Sequence, residues 1–341
     1  MRIVLQKMAW SLLTVAIVLV LNFFLFRVLP GDPARAGVKD PRMSLEAQAA
    51  IRVRFGLDHP VINGIASLHP LRFGSWTTNP LQTQFVMYFR SLAHLDLGIS
   101  YHSGRPVSEI LRERLGNTLL LVGAGQAVAI VLGLSLGALS AWKAGKLLDR
   151  SAFVLGLIGW SLPTFWLGIM LLFYGSTHFH LPVGGILTPG LSRADIWTQG
   201  LDIGRHLLLP TIAQAIVYLA QYLLIARSAM LDTLSEDYIL TARAKGLSPV
   251  HILIHHAAQN ASLPVMTMVA MNLGFVVAGA IQIETVFSWP GLGLATFEAV
   301  MRRDYPLLQG TFLLLAVSVV VANMVADLLY TYLDPRVRHR S

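Results

Sequence analysis

The sequence predicts an all-α membrane protein with six transmembrane helices. Three observations carry that class. Hydrophobic residues make up 55% of the 341 residues and charged residues only 13%, where a soluble domain carries about 25% charged. Mean hydropathy is +0.61. Six apolar runs lie at about 8–29, 117–141, 151–177, 207–229, 264–285 and 307–332. Each is long enough to cross a hydrocarbon core of about 30 Å as a helix.

The first run follows Arg2 and Lys7 and ends at Arg27 and Pro30. A cleaved signal peptide has that polarity but an apolar core of only about 7–15 residues, so this longer run reads as a retained helix. Residues 1–30 are then a cytoplasmic N-terminus and first span. Residues 31–116 form the largest extramembrane segment. Within it Ser44 to Phe55 reads as a short helix capped by Ser44. Residues 61–84, with Pro70, Gly74 and Pro80, read as an irregular insert. Residues 105–116 read as an amphipathic helix with Val107, Ile110, Leu111 and Leu115 on one face. Asn117 is placed to cap the second span. Gly133 and Gly137, four apart inside that span, allow a neighbouring helix to approach closely. Residues 117–332 form the core membrane domain and 333–341 a tail.

Basic residues orient the spans. Lys143, Lys146 and Arg150 lie between the second and third runs, Arg227, Arg243 and Lys245 between the fourth and fifth, and Arg336, Arg338 and Arg340 follow the sixth. With Arg2 and Lys7 they fall on one side of a six-span chain, which is then cytoplasmic. Residues 31–116 lie on the other side despite ten Lys and Arg, because long loops translocate largely regardless of charge. The net charge of +8 is spread along the chain, unlike the concentrated basic face of a nucleic-acid binder. With no cysteine, disulfides and thiolate metal sites are excluded.

A polar island at 235–262 interrupts the apolar pattern. Ser235 is placed to cap a helix with Glu236 and Asp237 in its first turn. Thr241, Ala242, Arg243 and Lys245 follow, and Gly246 can take the left-handed geometry that ends a helix. Ser248 and Pro249 then open a second helix through His251, Ile252 and His255. Two short helices around one glycine, with small residues beside the turn, suit a docking element on the cytoplasmic face better than a plain connecting loop.

The stretch Thr241 to Gly246 (TARAKG), with its spacing to Leu263 and Pro264, resembles the coupling motif of ATP-binding-cassette importer permeases, in the variant of the dipeptide, oligopeptide and nickel group. Further stretches resemble that group in order along the chain: Pro30 to Pro33 (PGDP), Ser161 to Gly168 (SLPTFWLG), Leu181 to Gly185 (LPVGG), Glu284 to Gly293 (ETVFSWPGLG), Arg303 to Pro306 (RDYP) and Asp334 to Arg336 (DPR). The resemblance implies the type I importer permease fold in a bacterial inner membrane. It also implies a heterodimer with a second permease, two nucleotide-binding ATPase subunits and an external solute-binding protein. ATP and Mg would act on the partners, with no cofactor in this chain. Asp237, Thr241, Ala242, Arg243, Lys245, Gly246 and His251 would then lie at or near the ATPase contact. The chain departs from the pattern in its 61–84 insert, in His255 and Gln259 where arginine is usual, and in Gly116 where proline is usual.

Asn272, Gln282, Glu284 and Trp289 are candidates for the translocation pathway, with Gln214, Tyr218 and Gln221 as further polar residues in spans. For each, bridging between helices is the plainer reading. Glu284 and Asp327 are the acids nearest membrane depth, where charge is expensive. His251, His255 and His256 are close in sequence, as are His178 and His180. A zinc site needs more ligands, and the His-Glu-x-x-His pattern is absent. No Gly-x-x-x-x-Gly-Lys-Ser/Thr loop is present, so the chain is not expected to hydrolyse ATP. The cargo expected is a dipeptide or short oligopeptide, with nickel or a metal chelate as the alternative within the family. An ion-coupled secondary transporter would show repeats and broken helices at the midplane. An intramembrane enzyme would show paired catalytic residues. Neither pattern is found, and neither explains 235–262.

Overall fold

The computed structural model describes residues 2–28, 81–193, 195–276 and 280–333. The expected Ser44 to Phe55 helix, nearly all of the 61–84 insert, Pro30 to Pro33 and the 334–341 tail lie outside the described residues, as does the side chain of Asp327. Every regular element among the described residues is helical. Four helices are long and apolar enough to cross a membrane, and a bent pair makes a fifth crossing if it counts as one.

The first helix, Arg2–Val28, matches the expected span. The second, Val107–Trp142, is a single helix of 36 residues. It fuses the expected amphipathic segment with the expected span and is far longer than the roughly 20 residues a bilayer needs. Asn117 therefore does not cap a helix. It sits inside one, and its side chain donates to the Pro290 carbonyl at 2.8 Å. The expected 207–229 span lies within a 39-residue helix, Ile196–Leu234, that begins at an Asp195 cap. The expected 307–332 span is the helix Tyr305–Leu333.

Two expected spans are not single helices. The run 151–177 divides into Leu147–Ser161 and Thr164–Phe179, bent by 101°. The break has a local cause. Pro163 has no N–H and forces the residue before it out of helical geometry, and Leu162 and Pro163 are both extended, with ψ of 129° and 125°. The run 264–285 begins earlier than expected. A single α-turn, Pro249–His251, leads through π-helical Ile252–Ala257 into the helix Ala258–Val276, which contains Pro264. A separate short helix, Ile281–Val286, follows a non-helical Ala280.

The chain forms two compact units. One comprises Met1–Leu115 with Ala295–Val317. In it, the first helix packs an aromatic cluster of Phe23 and Phe24 against Phe85 and Tyr88 of the short helix Gln84–Ala93. Asn22 donates to the Gln309 carbonyl at 3.0 Å. The other unit comprises Gly116–Leu294 with Ser318–Ser341. Its organising helix is Ile196–Leu234, which packs against Leu147–Ser161, Thr164–Phe179 and Ala258–Val276.

The Gly133 and Gly137 pair does what small residues in a span are suited to do. A Cβ on Gly133 would fall 2.6 Å from the Tyr222 Cβ, and one on Gly137 would fall 2.7 Å from both the Ala226 Cβ and the Leu223 carbonyl oxygen. The obstacle is partly backbone, so no rotamer change relieves it. Gly137→Leu is expected to destabilise the fold by about 1–3 kcal/mol or more, read as a lower melting temperature and loss of the monodisperse peak in detergent. Gly116→Leu, at an exposed position with nothing near its Cβ, should leave both unchanged.

Candidate coupling and translocation site

The polar island folds as two short helical stretches around a left-handed glycine. The first is Asp237–Ala244. Its N-cap is Glu236, without a side-chain capping bond. Ser235 instead closes the preceding helix, donating to the Asp232 carbonyl at 2.7 Å, because the next helix starts at Asp237, one residue too late for Ser235 to cap it. Gly246 has φ of +77° and no atom within 4 Å of where a Cβ would lie. The requirement for glycine here is conformational, not steric. The Gly246 N–H donates to the Arg243 carbonyl at 2.9 Å and the Leu247 N–H to the Ala242 carbonyl at 3.4 Å. Ser248 caps the next stretch as expected, accepting from the His251 N–H at 3.3 Å, with Pro249 at its start.

The expected contact residues fall into two sets. Asp237, Thr241, Arg243, Lys245, Gly246 and His251 are exposed. Ala242 is buried, and with Ile239, Ile252 and Ala257 it packs on Ala141, Ala229, Met230 and Ala261. Ala242 therefore anchors the island to the long helices instead of facing outward. The sequence reading missed the apolar part of the outward face: Leu240, Val250 and Ile254 are more than half exposed. They alternate with the buried Ile239 and Ile252 at helical spacing, which was the available signal. Arg243, Leu247 and Pro249 line a cleft of about 220 Å³ with Trp142 and Ile252. His251 and His255 stack with centroids 4.3 Å apart, and no group of three or more metal-ligating side chains is found among the described residues.

A salt bridge ties this region to its neighbours. Asp149, at the start of the Leu147–Ser161 helix, accepts from Arg227 Nε at 2.6 Å and Nη2 at 3.0 Å. It also accepts from Ser140 Oγ at 2.5 Å and the Gly145 N–H at 2.8 Å. Arg227 also lies over the Phe153 ring, 5.5 Å from its centroid. Sequence reading used Arg227 only to orient the chain and did not pair it.

The pathway candidates are distributed unevenly. Glu284 is fully buried. It accepts from Thr118 Oγ at 2.9 Å and the Leu294 N–H at 2.9 Å, and Thr118 in turn accepts from the Leu292 N–H at 2.7 Å. Trp289 is also fully buried, donating to the Asn117 carbonyl at 2.9 Å. A Cβ on Gly291 would fall 2.4 Å from the Glu284 carboxylate. Glu284 and Trp289 therefore latch the segment after the Ile281–Val286 helix onto the 107–142 helix. Gln282 is exposed. Asn272 donates to the Tyr222 hydroxyl at 3.0 Å, and Tyr222 donates to Gln126 at 2.9 Å, so Asn272 is one end of a polar chain across three helices. Tyr222 and Gln126 were not singled out from sequence. The polar face through Tyr218 pointed to Tyr222 one helical turn on.

Residues 130–339 match the family model described as "Binding-protein-dependent transport system inner membrane component". The chain belongs to that family. The similarity extends along the whole sequence. The Dipeptide transport system permease protein DppB of Escherichia coli (strain K12) is 35% identical over 357 aligned positions, covering 100% of this chain and 99% of its own. The Di/tripeptide transport system permease protein DppB of Pseudomonas aeruginosa (strain UCBPP-PA14) is 36% identical, with 95% and 94% covered. The Probable peptide ABC transporter permease protein y4tP of Sinorhizobium fredii (strain NBRC 101917 / NGR234) is 33% identical, with 98% and 99% covered. This family member is thus a membrane permease component of an ATP-binding-cassette transport system and not an enzyme.

Proposed function

We propose that the chain forms half of the translocation pathway of a type I importer for dipeptides or short oligopeptides. The observation that carries this reading is similarity along the whole chain to permeases named for peptides, joined to an outward-facing helix-glycine-helix at 235–262. The other half is a second, homologous permease. Two ATPase subunits bind ATP and Mg, and a solute-binding protein delivers cargo from outside. The chain crosses the membrane six times, with both termini cytoplasmic and residues 31–116 outside. The bent pair then counts as one span, and the sixth comes from the helix Ala258–Val276 with the short helix after it.

Coupling works as a lever. Closure of the ATPases on ATP displaces the docked helices. Their buried residues, Ile239, Ala242 and Ile252, pass that displacement to the long helices and bias the permease between inward- and outward-facing states. Asp237, Thr241, Arg243, Lys245 and His251 supply the polar contacts, and Leu240, Val250 and Ile254 the apolar ones. The nickel or metal-chelate alternative is not favoured, since the relatives quoted are named for peptides. Affinity purification of the tagged chain in mild detergent, with mass spectrometry of what accompanies it, tests the assembly. Recovery of a second permease and ATPase subunits is expected. Recovery of the chain alone, under conditions that keep a known importer intact, would overturn the reading.

A further inference from the structure

Within the unit of Met1–Leu115 and Ala295–Val317, a cleft of about 330 Å³ opens between the loop preceding the 107–142 helix and the helix Leu292–Arg302. Its two walls are held together by one buried carboxylate. Asp304 is 1% exposed. It accepts from Ser100 Oγ at 2.5 Å, the Tyr101 N–H at 3.1 Å and the His102 N–H at 3.3 Å. Ser100 Oγ in turn accepts from the Ser103 N–H at 3.1 Å. Three donors on one carboxylate fix the loop, so the cleft is preformed, and its size lies at the lower end of the range for small-molecule sites.

The charges lining it are of both signs. Arg105 is engaged with Glu113 at 2.6 Å and with Glu109 at 3.4 Å, so its own charge is already matched. What remains is Glu298 on one wall and Arg114 and Arg302 with it in the same cleft. Glu298 and Arg114 are half-buried. Among the described residues neither takes part in an ion pair or a side-chain hydrogen bond. Arg302, exposed at the end of its helix, meets the ring of His102 and, among the described residues, no carboxylate. Arg114 meets only the field of Glu113, which Arg105 already shares, and a half-buried charge as weakly matched as Glu298 is costly to hold. A ligand that supplies an anion to the arginines and a cation to Glu298 relieves that cost at both ends.

We propose that this cleft binds a short zwitterionic peptide by its two ends. The C-terminal carboxylate meets Arg302 and Arg114, and the N-terminal ammonium meets Glu298. Carboxylate recognition by guanidinium is the strong, geometrically specific half of that arrangement. The inference rests on the peptide reading above and extends it, because it gives this chain a contact with cargo separate from that of the solute-binding protein. In the orientation proposed, the cleft faces outside, where cargo arrives.

The test is binding of radiolabelled dialanine to the assembled importer in nanodiscs without solute-binding protein, alongside ATP-driven dialanine uptake by the complete system. Saturable binding is expected. Excess unlabelled dialanine should displace it, and N-acetyl-dialanine and dialanine amide should not. Glu298→Gln and Arg302→Gln should each weaken it at least about tenfold while the ATPase subunits still co-purify. Unaltered binding in both variants, or no binding by an importer that transports dialanine, would overturn the cleft assignment and leave the peptide reading standing. Failure of the complete system to transport dialanine or any other peptide would remove both.

Discussion

Gly246→Val is expected to abolish coupled uptake while the protein still inserts and still binds its ATPases. Nothing lies within 4 Å of a Cβ built on Gly246, so valine meets no steric wall. The backbone, however, has φ of +77°, where a β-branched residue is an outlier. Holding an L-residue in such a region costs about 1–3 kcal/mol. The turn relaxes to avoid that cost and swings the Pro249–His251 stretch away from the Asp237–Ala244 helix. A displaced equilibrium of that size corresponds to about 5- to 150-fold in population. In proteoliposomes with the partner subunits, peptide uptake should fall by at least about tenfold, while ATP hydrolysis persists and loses its dependence on cargo. Gly246→Asn separates the causes, because asparagine tolerates left-handed geometry yet adds a larger side chain than alanine. Near-normal uptake by the asparagine variant, with loss in the valine variant, assigns the effect to backbone conformation. Normal coupled uptake by the valine variant would remove Gly246 from the coupling mechanism.

The helical class and the helix-glycine-helix island were legible because both rest on local signals. Apolar runs of about 20 residues and a glycine between two capped helices are written in consecutive residues. The breaks were less legible. Pro163 was visible, but sequence hydropathy runs through it unchanged, and only the extended backbone at Leu162 and Pro163 shows that the crossing bends. Asn117 failed as a cap for the opposite reason. Its local chemistry was right, but the helix had already begun at Val107, and the side chain was taken by the Pro290 carbonyl. Glu284 shows the limit of reading single residues. An acid near membrane depth suggests a pathway, yet its partners, Thr118 and the Leu294 N–H, include one 166 residues away. No local pattern announces such a pair.

Arg227→Met is expected to destabilise the larger unit strongly. Asp149 is 3% exposed and carries a bidentate bond from Arg227. Methionine keeps much of the stem's packing against Phe153 but leaves the carboxylate buried without its counter-ion. Breaking a buried pair this way costs about 3–5 kcal/mol, enough to consume much of a typical domain's stability. Asp149→Asn in the same chain should restore a large part of the loss, since two neutral side chains then face each other, the amide oxygen still accepts from the Gly145 N–H and the amide nitrogen donates to the Ser140 hydroxyl in place of the bond it loses. That recovery is a coupling energy, measurable as a double-mutant cycle on melting temperature. Arg227→Lys should fall between, keeping charge and losing the planar fork. If Arg227→Met melts like the unaltered chain, the pair is not a structural tie. If it melts low and the double variant recovers stability without recovering uptake, the pair does more than hold the fold. It fixes the loop at 142–150 to the helix Ile196–Leu234, whose end at Ser235 leads directly into the short helices Asp237–Ala244 and Pro249–His251. In the coupling proposed above, a lever transmits displacement only when its base is held, and Asp149 with Arg227 would provide that hold.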